Sequence, residues 1–324
     1  MKILITGGAG FIGSYLAESL LEDNHEVFAI DNLSTGKIEN IAQFKNNKNF
    51  HFYKGSILDY DLMRKLIFSC DSIYHLAAAV GVKFIIEHPL HSLITNVRGT
   101  EIVLELADIF KKKIFLASSS EVYGKDGTRP FKETDDRILG QVTIPRWGYS
   151  CAKAFDEFLA IAYHKCKGLS VVIGRLFNIC GPRQSPNYGM VIPRFIQQAL
   201  RGEPITVHGD GKQIRSFTYI GDAATAMQIL MDDRRAEGEI FNIGCSESIT
   251  IGNLANKIKE LCGSSSKILF VPYEQAYSEG FEDMFYRVPD ISKLSDLIGF
   301  TLKFKLNEML KTIINDHQKK LCSH

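Results

Sequence analysis

The sequence predicts an α/β fold: a doubly wound parallel sheet with a smaller C-terminal lobe. Three observations predict it. Short apolar runs of strand length alternate with helix-period segments from residue 3 to residue 174, the texture of repeated βαβ units. The chain opens on an apolar strand that runs into three glycines spaced three apart, Gly7, Gly10 and Gly13, and then into a helical segment. A second apolar run, Glu26 to Ile30, ends in Asp31, close to the offset of about 20 residues at which an acid meets a ribose. Together these define a dinucleotide-binding sheet of the Rossmann type.

Taken in order, strands are expected at Ile3–Ile5, Val27–Ile30, Phe50–Tyr53, Ser72–His75, Lys113–Ala117 and Ser170–Gly174. The first glycine allows a tight turn, the second lets backbone approach a pyrophosphate, and the third lets helix pack on strand. The helix expected from Ser14 to Glu22 aims its free N–H groups at the same place, which favours an anion. Asp31 can accept from both ribose hydroxyls and repels a 2′-phosphate, so NAD is favoured over NADP. Ile73 to Ala78 ends a strand in small residues, which suits close approach of backbone to ligand.

Beyond Arg175 the texture changes. Gly181-Pro-Arg183, Ser185 to Gly189, Gly202-Glu-Pro204 and Gly209-Asp-Gly211 punctuate short elements. Residues 1–175 form the expected first domain and 176–324 the smaller lobe, with 217–245 rejoining the first as a helix and a strand.

Two segments carry residue types suited to chemistry. Tyr149 and Lys153 stand four apart on a helical pattern, so phenol and ammonium share one face. A neighbouring lysine and a cationic nicotinamide ring would favour the phenolate, a general base. The strand from Lys113 to Ala117 runs into Ser118, Ser119, Ser120 and Glu121, which places hydroxyls and a carboxylate in the crevice where such sheets bind ligands.

Composition excludes several classes. The 324 residues are 45% hydrophobic with a net charge of +1, which gives no argument for a nucleic-acid partner. No apolar run approaches the ~20 residues of a membrane span, and a cytoplasmic location is expected. The seven cysteines (70, 151, 166, 180, 245, 262, 322) are odd in number and contain no C-x-x-C pair, against a disulfide framework or zinc site. His75, His88 and His91 lack partners at ligand spacing, so no metal is expected.

The motifs resemble those of the extended short-chain dehydrogenase/reductases, the nucleotide-sugar epimerase, dehydratase and decarboxylase family, over nearly the whole chain. They are Thr6-Gly-Gly-Ala-Gly-Phe-Ile-Gly13, His75-Leu-Ala-Ala78, Asn96-Val-Arg-Gly-Thr100, Ser118 to Gly124, Tyr149 to Lys153, Arg175 to Arg183 and Gly211 to Phe217. The resemblance implies an NAD-binding first domain and a nucleotide-sugar-binding lobe. It implies NAD contacts from Gly7, Gly10, Phe11, Ile12, Gly13, Asp31, Asn32, Ser56, Ile57, Leu76, Ala77, Ala78, Asn96, Tyr149 and Lys153. It implies catalytic roles for Ser119, Glu121, Tyr149 and Lys153, with substrate contacts from Ser118, Ser119, Ser120, Asn178, Arg183, Val191, Arg215 and Arg287. One departure is Gly55-Ser56-Ile57, where the family carries an aspartate that contacts adenine; serine makes a weaker bond there.

The implied cycle oxidises carbon 4 of a UDP-linked sugar. The fate of the 4-keto sugar separates the subfamilies. Ser-Glu-Val-Tyr-Gly at 120–124, Pro145-Arg-Trp-Gly-Tyr149 and Arg287 in the run Gly280 to Asp290 resemble the uronate decarboxylases, whose arginine faces the carboxylate. Arg-x-Pro-Asp also occurs in members assigned as 4-epimerases, which stay open as the alternative, followed by dehydratases. Outside the enzyme class stands a non-catalytic NAD-binding sensor. The family's helices equivalent to Asn96–Phe110 and Trp147–Lys165 form a dimer contact, so a homodimer is expected.

Overall fold

The computed structural model describes residues 1–125, 127, 129–186, 190–276 and 282–322, without the side chains of 82–84 and 322. Three parts of the sequence reading therefore lie outside the described residues: 187–189 of the Ser185 turn, Gly280 and Phe281 ahead of Arg287, and the Cys322 thiol.

The chain opens on β1 (Lys2–Thr6), α1 (Phe11–Glu22), β2 (Glu26–Asp31), β3 (Phe50–Lys54), α2 (Tyr60–Ser69) and β4 (Ser72–His75). α3 (Val82–Glu87), α4 (Pro89–Ile109), β5 (Lys113–Ser119), α5 (Pro145–Lys167) and β6 (Val171–Leu176) come next. Elements then shorten: β7 (Ile179–Cys180), α6 (Val191–Leu200), β8 (Ile205–His208), β9 (Ile214–Ser216), β10 (Thr218–Tyr219), α7 (Ile220–Asp232) and β11 (Ile240–Ile243). The last are β12 (Ser248–Thr250), α8 (Ile251–Leu261), β13 (Ile268–Val271), α9 (Tyr273–Ala276), β14 (Tyr286–Arg287), α10 (Ser292–Ile298) and α11 (Leu306–Cys322).

Seven strands form one parallel sheet in the order β3–β2–β1–β4–β5–β6–β11. Strand order reverses between β1 and β4, so the loops leaving these strands diverge and open a crevice. Both faces are covered, which is why the strands are almost wholly apolar. Ile3 and Ile5 enter the core under α1 and α7, while Leu4 between them enters the core under α2, α4 and α5, the two-residue alternation of a strand. β11 adds to the sheet beside β6, with Ile240 opposite Ile173, and α7 packs on α1. Residues far along the chain thus complete the first layer.

Three helices start earlier than the sequence suggests, α5 among them at Pro145, with proline in its first turn. α1 begins at Phe11 because the glycine turn ends at Gly10, its N-cap, and Ser14 sits inside the helix with its hydroxyl on the Phe11 carbonyl. α4 begins at Pro89, whose fixed φ suits a first helical position.

The second lobe is held by a core of Phe195, Leu254, Ile258, Leu310 and Ile313 from α6, α8 and α11. Its strands pair in small sets: β8 with β13, β7 with β10, and β12–β9–β14. In the last set Arg287 lies opposite Arg215. Among the described residues no helix is long and apolar enough to cross a membrane.

Candidate active site

The crevice runs along the carboxyl ends of β1, β4 and β5. Gly7 turns the chain out of β1 at φ 74°, and a Cβ there would fall 2.9 Å from the Ala77 backbone, so turn and close approach both require glycine. A Cβ on Gly13 would lie 2.2 Å from the Gly7 carbonyl oxygen, so this glycine serves the turn itself. Gly10 differs: a Cβ there would meet only that oxygen, at 3.0 Å, and otherwise project into open space. Phe11, Ile12 and Gly13 line the crevice with the first turn of α1, where unpaired N–H groups favour an anion.

Asp31 forms the opposite wall. Its Oδ2 accepts from Ala9 N–H at 3.0 Å and its Oδ1 from Leu33 N–H at 2.8 Å, which leaves acceptor capacity for a ligand. Burial raises this carboxyl, and the backbone bonds oppose the rise.

Tyr149 and Lys153 stand one turn apart on α5 and both reach the crevice. Burial raises the Tyr149 phenol well above its ordinary range, the charge of Glu121 adds to this, and a hydrogen bond with Ser119 opposes it. The two cations the sequence reading invokes, Lys153 and a bound nicotinamide ring, would act against this rise. Lys153 Nζ lies 3.3 Å from Asp156 Oδ2. Ser119 Oγ accepts from the Glu121 N–H at 3.2 Å, and so fixes the start of the 3-10 turn Ser120–Tyr123.

Glu121 is the meeting point of two arginines. Arg146 grips its carboxylate through Nε and Nη2 at 3.1 and 3.0 Å, and Arg287 Nη1 pairs with it from β14. Arg146 Nη1 and Arg215 Nη2 share Asp283 Oδ1, each at 3.0 Å, and the Tyr273 hydroxyl donates to Asp283 Oδ2 at 2.9 Å. Burial alone would push both acids up; the arginines outweigh it and hold Glu121 and Asp283 below the usual carboxylate range. Arg215 is pulled down to about 10, by burial first. Three guanidiniums against two carboxylates leave the cluster one positive charge. Arg287 Nε is buried with no hydrogen-bond partner among the described residues.

With this geometry in hand, a family model described as GDP-mannose 4,6 dehydratase matches residues 4–313. The chain belongs to that family. It is 44% identical to the UDP-N-acetyl-alpha-D-glucosaminuronate decarboxylase of Bacillus cytotoxicus, over 97% of this chain and 96% of that one. It is 36% identical to UDP-glucuronic acid decarboxylase 1 of Xenopus tropicalis, over 99% of this chain and 73% of that one. Among solved structures, a mutant UDP-glucuronic acid 4-epimerase from Bacillus cereus, in complex with UDP-4-deoxy-4-fluoro-glucuronic acid and NAD, superposes with a TM-score of 0.89 at 31% identity. That match covers 99% of this chain and 100% of the other.

In this member of the GDP-mannose 4,6 dehydratase family, Asn32, Ser56, Ile57, Leu76, Ala77 and Ala78 line the crevice. Ser56 Oγ is engaged by the Leu58 N–H at 3.2 Å. Asn96 does not line it: its amide clamps Ala79, accepting from the N–H at 2.7 Å and donating to the carbonyl at 3.2 Å, and so shapes the wall from behind. Ser120 is buried at the crevice; Ser118 is there too, but its hydroxyl is held by Glu157 at 2.5 Å within a Glu157–Arg175 ion pair.

Asn178, at φ 41°, donates to the Ser216 carbonyl at 2.8 Å and accepts from Arg287 Nη2. Asn178, Arg287, Glu121 and Arg146 border both the crevice and a second cavity, which Val191 and Arg215 line on the far side. Arg183 stays in the first, paired with Glu18 at 2.5 Å and stacked 4.2 Å over the Tyr15 ring.

The sequence reading assigns no role to Arg146, Asp283 or Asp156. Arg146 stands in the run before Tyr149, and Asp283 in the run before Arg287. Their signal is charge inside an otherwise apolar or turn segment, but only the fold brings the two runs together. Among the described residues no three His, Cys, Asp or Glu side chains gather as a metal site.

Proposed function

We propose that this chain is an NAD-dependent enzyme that decarboxylates a UDP-linked hexuronate through transient oxidation at carbon 4 of the sugar. UDP-N-acetylglucosaminuronate and UDP-glucuronate are the lead substrates, by likeness to the two decarboxylases above. The observation that carries the reading is the net positive charge around Glu121, with the Arg287 guanidinium lining the cavity that Tyr149 also lines. A planar guanidinium suits a carboxylate.

The crevice fits a dinucleotide: Gly10 leaves the space a Cβ would fill, and Asp31 keeps acceptor sites for ribose hydroxyls. When bound, NAD supplies a reversible acceptor for the hydrogen and electron pair of carbon 4. Lys153 holds the ribose beside Tyr149. Tyr149 takes the proton of the carbon-4 hydroxyl while Ser119 hydrogen-bonds the same oxygen. The carboxylate on carbon 5 is then β to a ketone, and Arg287 orients it. Loss of carbon dioxide passes the bonding pair into the enolate, carbon 5 takes up a proton from water, and Tyr149 returns its proton to the oxygen as the ketone is reduced.

Dehydration fits less well, because it needs a base for the carbon-5 proton. Glu121, held ionised by two arginines, is a weak one.

The test offers UDP-glucuronate, UDP-N-acetylglucosaminuronate and UDP-glucose separately with NAD⁺ and resolves products by mass and NMR. Loss of carbon dioxide from a uronate is expected. Unchanged mass with inversion at carbon 4 would instead make it a 4-epimerase, the second reading, which the epimerase structure motivates. Loss of water would point to dehydration, and no product with no transient NADH absorbance to a sensor. Glu121→Gln should spare epimerisation far more than decarboxylation, because it loosens the carboxylate that holds Arg287 and Arg146 in place.

We also propose a homodimer through α4 and α5. These helices pack together and leave Leu90 70%, Ile94 45%, Phe155 49% and Phe158 66% exposed, more apolar surface than isolated residues explain.

A further inference from the structure

Behind Lys153 lies a buried polar chain that the mechanism above does not use. Asp156 is fully buried, one turn along α5 from Lys153, and its Oδ2 takes the ammonium at 3.3 Å. The Thr100 hydroxyl of α4 favours the charged form of this carboxylate, whose Oδ1 is buried with no hydrogen-bond partner among the described residues. Thr100 Oγ1 is also 3.1 Å from His75 Nε2, His75 Nδ1 is 2.8 Å from Thr6 Oγ1, and Thr6 Oγ1 accepts from the Ala77 N–H at 3.1 Å.

The His75 ring is neutral, pulled down to about 3 by burial and secondarily by Lys153, so one of its nitrogens donates and the other accepts between Thr100 and Thr6.

We propose that Asp156 is a positioning residue for Lys153. Its carboxylate fixes the ammonium at the wall of the dinucleotide crevice, which Lys153 lines. The inference rests on reading Tyr149 and Lys153 as the redox pair. The charged or titratable groups around Asp156 are Lys153 and Glu157 on its own helix, Tyr149 one further turn back, and His75 across Thr100. Burial raises Asp156 to about 6, against the pull of Lys153 and Thr100. The carboxylate in turn raises Tyr149.

The experiment compares wild type, Asp156→Asn and Thr100→Val, with Tyr149→Phe as the spectral blank. Phenolate titration by ultraviolet difference absorbance needs no turnover. Asp156→Asn removes a negative charge near the phenol, so the Tyr149 midpoint should fall by about 0.5 in pH or more, and the acid limb of kcat should fall with it. kcat should drop about tenfold while KM for the uronate changes by less than about threefold. Thr100→Val removes the hydroxyl that favours the charged carboxylate of Asp156, so near neutral pH kcat should fall while the alkaline Tyr149 midpoint stays in place. An Asp156→Asn protein that titrates like wild type, or either variant turning over at the wild-type rate, overturns the proposal; should Asp156→Asn not fold, Thr100→Val decides. If wild type decarboxylates no uronate, the proposed function fails, and the titration still decides the role of Asp156.

Discussion

His75 is 1% exposed, and its depressed titration carries a stability consequence with a definite sign. Below about 6.5 the unfolded chain charges this ring, while the folded ring stays neutral until about 3. The unfolded state therefore binds the extra proton, and stability falls as pH drops through that interval, by up to about 1.4 kcal/mol per pH unit. Asp156 acts in the opposite sense: its folded value of about 6 exceeds the ordinary 3.8, so its contribution is present at low pH and lost as pH rises through 6. Glu121 and Asp283 lose their contributions only below the usual carboxylate range. The gap in stability between wild type and His75→Gln isolates the imidazole. We expect thermal melts at pH 7 and pH 5 to show that gap shrinking on acidification, and a gap that is constant or widens would show that the ring is not held neutral.

The glycine turn before α1 separates two roles that look alike in sequence. Gly13→Ala forces a Cβ within 2.2 Å of backbone, so the turn must move; a loss of about 2 kcal/mol, seen as a melting temperature lower by several degrees, is expected. Gly10→Ala meets one oxygen at 3.0 Å and should fold near normally while losing NAD affinity, by calorimetric titration, at least tenfold. Equal effects of the two changes would refute this division. The elements of the first lobe were legible because each announces itself locally: apolar strands buried on both faces, glycine turns, and a Tyr–Lys pair at helical spacing. The second lobe was not, because its strands are two to four residues long and gain their meaning from distant partners, as β14 does from β9. Arg287 was readable as a charge, but its bond to Glu121 across 166 positions was not.

At the scale of the molecule, the exposed aromatics of α5 give the assembly its test. Phe158→Glu puts a charge where two copies are expected to pack, and light scattering should show a monomer where wild type is a dimer. A wild-type monomer, or a dimer unaffected by the charge, would remove the helix-pair interface. The seventh strand of the sheet is spelled by residues 240–243, after much of the small lobe. On the ribosome this has a cost in time. Until those residues emerge, Val171–Leu176 leaves an open row of peptide groups that any passing strand can pair with. A nascent chain halted before residue 240 should therefore depend on chaperones or aggregate, and synthesis past that strand should release it.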